Sequence, residues 1–250
     1  MMTILTLPRH FLDQVRTYSV GSVVRWHWLA RSVAPLLHGS ALHVLDAGCG
    51  DGTYAFRLAR RYPTATFHGR DLMEKRLDRA QERLAAEPTP NLTFALGDIT
   101  RPLGTARYDL VYSVDVFEHI PDDRAALAAI AEALKPGGRL FLHTPLSPQH
   151  HWLQRYDLDH CHRDDHVRSG YTVVDLEEKA RAAGLEPLAA HYTHGRWGTL
   201  AWEMWMLTKS RLLSRIVAWP AIRILIGLEL ARWPVRGNCV LFEAVKAPRD

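Results

Sequence analysis

Val44-Leu45-Asp46-Ala47-Gly48-Cys49-Gly50-Asp51-Gly52 is the stretch from which the rest of the chain is read. Val44 and Leu45 are apolar and strand-prone. Gly48, Gly50 and Gly52 follow at alternate positions. Glycine has no Cβ, so its backbone adopts positive φ at little cost and lets a ligand come close. From Thr53 the pattern becomes helical, with Tyr54, Leu58 and Tyr62 four apart and Phe56 and Ala59 widening the stripe. Strand, glycine turn and helix make the opening unit of a doubly wound sheet, with a ligand at the helix N-terminus. The third glycine comes one residue earlier than in the dinucleotide fingerprint G-x-G-x-x-G. Asp46 and Asp51 would repel a pyrophosphate. A nucleoside carrying an amino-acid zwitterion suits the place better, and Asp46 could meet its amine or orient the loop.

Strands and helices alternate onward from this turn. Thr64 to Gly69 reads as a second strand with Asp71 at its end, 19 residues beyond Gly52. An acidic residue at that distance is placed for ribose hydroxyls, with a helix N-cap for Glu74 to Leu84 as the alternative. Leu92 to Leu96 is a third strand. Gly97-Asp98-Ile99 follows, where Asp98 could accept from an adenine amino group and Ile99 lie on the ring. Tyr108 to Ser113 is a fourth strand, feeding Val114-Asp115-Val116-Phe117-Glu118-His119-Ile120-Pro121-Asp122. Asp122 or Asp123 can cap a helix over 124–134. Lys135-Pro136-Gly137-Gly138 ends it, and Arg139 to His143 is a fifth strand. Such alternation predicts parallel pairing with right-handed crossovers.

These motifs resemble those of the class I S-adenosylmethionine-dependent methyltransferases. The glycine stretch is similar to the family's first motif. Asp109-Leu110-Val111 with Glu118-His119-Ile120, then Leu134-Lys135-Pro136-Gly137-Gly138-Arg139-Leu140, are similar to its later ones. The likeness spans about residues 40–145. It implies an α/β, doubly wound, Rossmann-like sheet of seven strands with the last antiparallel. It implies S-adenosyl-L-methionine as cofactor, its methionine moiety near Asp46, Gly48, Cys49, Gly50 and Gly52. The ribose would sit at Asp71 with Leu72 beside it, and the adenine near Asp98 and Ile99. Ser113, Val114 and Asp115 would flank the sulfonium.

The substrate side is less determined. The sulfonium is already activated, so the enzyme chiefly aligns an acceptor for in-line attack. A hydroxyl or ammonium acceptor also needs a base, and His119, His143, His160 and His162 are the candidates. His119 and His143 are preferred, because each lies at the C-terminal end of a predicted strand. Residues 150–166 are dense in His and Asp, but the spacing fits no standard metal motif, so no metal is assigned. A loop closing over the acceptor is the preferred reading.

Residues 195–237 form the second unusual region. They hold five of the eight tryptophans and seven Lys or Arg against Glu203 and Glu229. Pro220 and Pro234 divide them into predicted helices over 201–218 and 221–232, an insertion before a final strand at 238–246. Tryptophan with interspersed arginine suits a helix lying in a membrane interface. A substrate lid and a homodimer contact are the alternatives. Residues 8–40 read as helical, closed by Pro35 and Gly39-Ser40, so that 1–40 form an N-terminal helical cap. The methyltransferase domain then takes 41–250.

The chain has 250 residues, 47% of them hydrophobic, and a formal charge of +4. That suffices for one large α/β domain and excludes global disorder. Cys49, Cys161 and Cys239 are odd in number and far apart, which argues against a disulfide framework and for a cytoplasmic setting, with peripheral membrane association a candidate. No nucleic-acid recognition motif is present, and the positive charge sits among tryptophans. The sequence therefore predicts a methyltransferase acting on a small molecule, with a hydrophobic or lipid-linked acceptor a candidate and oxygen the favoured atom. A non-catalytic protein of the same fold and a nicotinamide-dependent oxidoreductase are the alternatives.

Overall fold

The computed structural model describes residues 19–152, 166–208 and 212–248. Its centre is one seven-stranded sheet, made of β1 (His43–Ala47), β2 (Thr66–Asp71), β3 (Leu92–Leu96), β4 (Tyr108–Val114), β5 (Leu134–Pro145), β6 (Leu185–Thr193) and β7 (Cys239–Lys246). The spatial order is β3-β2-β1-β4-β5-β7-β6. The first five strands pair in parallel, and β7 runs antiparallel to both β5 and β6. β1 and β4 are buried along nearly their whole length. That is expected of central parallel strands covered on both faces.

Helices cover both faces. On one side lie α1 (Val20–Leu37), α2 (Thr53–Arg61), α6 (Arg196–Thr208) and α7 (Leu212–Leu230). Val24, Trp28, Phe56, Leu58, Ile222 and Ile226 pack there with Tyr112, Phe141 and Leu241 of the sheet. On the other side α4 (Asp123–Ala133) and α5 (Val173–Ala182) bring Leu127, Ile130, Leu176 and Ala180 against Val111, Leu140, Leu142 and Phe242. α3 (Glu74–Ala86) buries only Leu77 and Ala80.

Several local expectations change. Pro35 lies inside α1 and Pro220 inside α7, so neither ends its helix. Both prolines are exposed, where the carbonyl freed by the missing N–H can meet water. The insertion's helices are accordingly 196–208 and 212–230, not 201–218 and 221–232. β5 starts at Leu134, five residues before the predicted strand, through an irregular pairing between Tyr108 and Leu110. The insertion is docked on the core: Trp233 stacks between Trp28 (3.9 Å) and His191 (4.4 Å).

This topology positions the site. In an open α/β sheet ligands bind at the strands' C-terminal ends, where the strand order reverses. Here that place is between β1 and β4. The Ser113 hydroxyl donates to the Ala47 carbonyl across it (2.7 Å), and the Tyr112 hydroxyl donates to Asp46 Oδ2 (3.0 Å).

Candidate active site

The glycine turn leaves β1 with Gly48, Gly50 and Gly52 at φ of +82°, +55° and +74°. The three are needed for different reasons. A Cβ on Gly48 would lie 2.4 Å from a Val116 methyl, and one on Gly52 would lie 2.5 Å from the Phe94 ring. Gly50 alone has an open outer face, its nearest neighbour being Arg76 Cδ at 3.9 Å. The Cys49 and Gly48 amides both donate to the Arg70 carbonyl, which ties the turn to β2. The Cys49 thiol is buried, and burial with the nearby Asp46 pushes its pKa far up, so it is no nucleophile.

Asp71 faces the turn. Its Oδ2 accepts the Gly50 N–H (2.7 Å) and its Oδ1 accepts the Met73 N–H (2.8 Å). It does not cap α3, whose N-cap is Met73. Leu72 beside it is 67% exposed, an apolar side chain held in the open at the cleft edge. Asp98 Oδ1 accepts both the amide and the hydroxyl of Thr100 (2.8 Å each), and the amide bond chiefly draws its pKa down. Ile99 is buried in the core.

The loop after β4 carries the other half. Ser113 and Val114 are buried, and Ser113 spends its hydroxyl on β1. Asp115 has φ +51°, a conformation rare for a non-glycine residue and costing of order 1–3 kcal/mol. It is held there by two partners. Arg25 of α1 lies 2.6 Å from Oδ2, and His143 Nδ1 lies 2.6 Å from Oδ1. Burial works against the Asp115 charge, yet Arg25 and His143 outweigh it and hold the carboxyl well below its usual range. His143 is 1% exposed, and its Nε2 contacts the Thr193 hydroxyl at 2.8 Å. An Asp115–His143–Thr193 chain thus joins the loop after β4 to β5 and β6. His119 is exposed, its ring set edge-on to His166 at 4.4 Å. His160 and His162 lie outside the described residues.

Four further residues were given no site role by the sequence. Arg25 comes from the N-terminal helix. Glu118 is 1% exposed and accepts the Thr144 hydroxyl (3.3 Å). Arg168 and Tyr171 lock the loop from outside: Arg168 binds the Phe117 and Pro121 carbonyls and Asp123 (2.5 Å), and the Tyr171 hydroxyl donates to Asp123 (2.8 Å). Among the described residues two triplets bring metal-ligating atoms within 4.8 Å of one another, His143–His194–Cys239 and Glu118–His119–His166. In the first, both ring nitrogens of His143 already have partners.

Two buried carboxyls give stability a pH dependence. Burial raises Asp46 from 3.8 to about 8 and Glu118 from 4.5 to about 8. An acid raised on folding holds its proton longer in the folded state, so its contribution declines as pH climbs towards 8. Burial holds His194 down to about 3, and its opposite effect is complete above its ordinary 6.5. Between pH 7 and 8 the carboxyls therefore govern. Stability is expected to fall there by about 1 kcal/mol per pH unit for each group. Denaturation of Glu118→Gln across this range should show a shallower fall, and an unchanged slope would contradict the assignment.

Known proteins share this arrangement of motifs and fold. A family model described as a methyltransferase domain matches residues 44–138. The 27-O-demethylrifamycin SV methyltransferase of Amycolatopsis mediterranei is 32% identical over 195 residues, 74% of this chain and 69% of that one. The chain belongs to the class I S-adenosylmethionine-dependent methyltransferases. The trans-aconitate 2-methyltransferase of Deinococcus radiodurans is 38% identical over 107 residues, 43% of this chain and 39% of that one. The chain spans about half or less of the length of the first curated relatives it matches. The fold is shared with the phosphoethanolamine N-methyltransferase 2 of Haemonchus contortus, solved with S-adenosyl-L-methionine. There the TM-score is 0.63 at 20% identity, over 96% of this chain and 60% of that one.

The residues present fit this methyltransferase family's cofactor. Gly50 offers an open backbone face with a carboxylate beside it. Arg25 Nε is buried with no hydrogen-bond partner among the described residues, and an anionic group entering the cleft would supply one.

Proposed function

We propose that the chain is an enzyme that passes the methyl group of S-adenosyl-L-methionine to a hydroxyl of a small-molecule acceptor. The observation that carries this reading is the Asp71 carboxylate, tied to the amide of Gly50, which among Gly48, Gly50 and Gly52 is the one with an open outer face. In this reading Asp71 receives the ribose hydroxyls, and Leu72 and Ile99 take the adenine with Asp98 at its amino group. Asp46 and the turn from Gly48 to Gly52 receive the amino-acid end. Ser113, Val114 and Asp115 flank the sulfur. When bound, the cofactor supplies a methyl group already activated by a sulfonium.

His143 is the preferred base. Asp115 accepts from Nδ1–H, so the lone pair is on Nε2, aimed at Thr193. An acceptor hydroxyl taking the place of Thr193 would leave its proton on Nε2, and Asp115 would stabilise the resulting cation. His119, on the exposed loop, is the second candidate. The name of the Amycolatopsis relative specifies an oxygen, which supports a hydroxyl acceptor.

A hydrophobic or lipid-linked acceptor, met at a membrane surface, is the finer reading. Its support is the outer face of α7, where Val217, Ile224 and Leu228 are 75%, 65% and 47% exposed at helical spacing. Among the described residues no helix is long and apolar enough to cross a membrane.

Calorimetry with S-adenosyl-L-methionine and its demethylated product, S-adenosylhomocysteine, tests the core of the reading. Binding of both is expected, and binding of neither rejects it. Flotation with liposomes tests the finer part. Val217→Asp with Ile224→Asp should reduce association several-fold, and equal flotation would remove the membrane contact.

A further inference from the structure

The strongest unassigned feature is a cavity of about 570 Å³ beside the insertion, within the range of small-molecule sites. Its lining joins the N-terminus of α6, the end of α7 and the start of β7. Three arginines line it, Arg196, Arg232 and Arg236, and all three are exposed. Among the described residues none of the three forms an ion pair. The cavity's single acidic side chain, Glu229, is 3% exposed and already engaged. Its Oε1 accepts the Gly195 N–H (2.6 Å) and its Oε2 the Gly198 N–H (2.9 Å). Glu229 therefore satisfies the start of α6 and leaves the arginines uncompensated.

The walls are apolar and stiff. Trp233 is clamped between Trp28 and His191. Arg196 lies 4.2 Å over the Trp197 ring, which presents its guanidinium in a set plane. The cavity also abuts the site described above. His194 lines it, and the His194 ring is 6.1 Å from that of His143, the partner of Asp115. At the mouth, Leu228 and Val235 continue the exposed apolar stripe of α7.

We propose that this cavity seats the methyl acceptor, and that the acceptor is an anionic amphiphile, with a phosphate or carboxylate on the arginines and an apolar body along the tryptophans. The assignment rests on the methyltransferase reading and names the substrate class of that site. Free anionic amphiphiles and lipid headgroups share this chemistry.

The test is calorimetry on the full chain with hexyl phosphate, with neutral hexyl glucoside as control, and with S-adenosylhomocysteine on the same samples. Hexyl phosphate should bind, and Arg232→Gln with Arg236→Gln should weaken it by about tenfold or more, since each loses a charge-assisted contact. The glucoside should bind more weakly and show no dependence on these arginines. No binding of hexyl phosphate, or equal binding by the double variant, overturns the proposal. Failure to bind S-adenosylhomocysteine instead overturns the underlying methyltransferase reading. Vesicles of phosphatidylcholine with and without phosphatidic acid form the last arm. Displacement of hexyl phosphate only by the acidic vesicles identifies a lipid headgroup, and no displacement identifies a free amphiphile. Either result keeps the anion.

Discussion

Gly48→Ala lowers the stability of the fold by about 3 kcal/mol or more, while Gly50→Ala costs about 1 kcal/mol. Both positions have positive φ, so both pay the same kind of backbone strain. The difference comes from what stands outside. A methyl at position 48 would be driven into both Val116 methyls, at 2.4 and 2.6 Å. Overpacking of that sort adds 1–3 kcal/mol by itself, roughly speaking. At position 50 nothing stands nearer than 3.9 Å, so the methyl meets open space. Gly50→Ala should instead be seen in binding, because the new methyl occupies the face proposed to receive the cofactor. A loss of at least about tenfold in S-adenosylhomocysteine affinity is expected. Urea denaturation and calorimetry on the two variants separate the effects. Adding Val116→Ala to Gly48→Ala should recover part of the lost stability. Equal stability of the two single variants would show that Val116 does not close over the turn.

Asp71→Ala weakens S-adenosylhomocysteine binding by about 100-fold or more. One carboxylate now fixes two amides, Gly50 at 2.7 Å and Met73 at 2.8 Å, and is proposed to receive the ribose as well. Hydrogen bonds to a charged group contribute about 1.5–3 kcal/mol each, and two of them correspond to at least that factor. Asp71→Asn keeps one acceptor oxygen and should fall between the variant and the parent. Affinity within threefold of the parent in Asp71→Ala would move the ribose elsewhere and withdraw the main support for the proposed function.

The legible part of this chain is local. Val44 to Gly52, Asp71 and the alternation from 44 to 143 are short-range patterns, and each of them appears in the fold as a strand, turn or helix. The antiparallel seventh strand came from the family resemblance, and the sheet contains it. What sequence could not reveal is assembled across long separations. Arg25, Asp115, His143 and Thr193 come from a helix, a loop and two strands, and no spacing rule connects them. Pro35 and Pro220 misled for a different reason. A proline is read as a helix end because it removes a donor, but on an exposed face water can meet the orphaned carbonyl. The insertion stood out as basic and tryptophan-rich, which suggested a lid, a dimer contact or a membrane contact. Its composition did not show that Trp233 would be gripped by Trp28 and His191, so that the region belongs to the same core.

α1 carries both Arg25 and Trp28, less than one helical turn apart. Arg25 reaches the strained aspartate of the loop after β4, and Trp28 stacks on Trp233 in the wall of the arginine-lined cavity. A displacement of α1 would therefore strain the Arg25–Asp115 pair and the Trp28–Trp233 stack together, since one short helical segment carries both contacts.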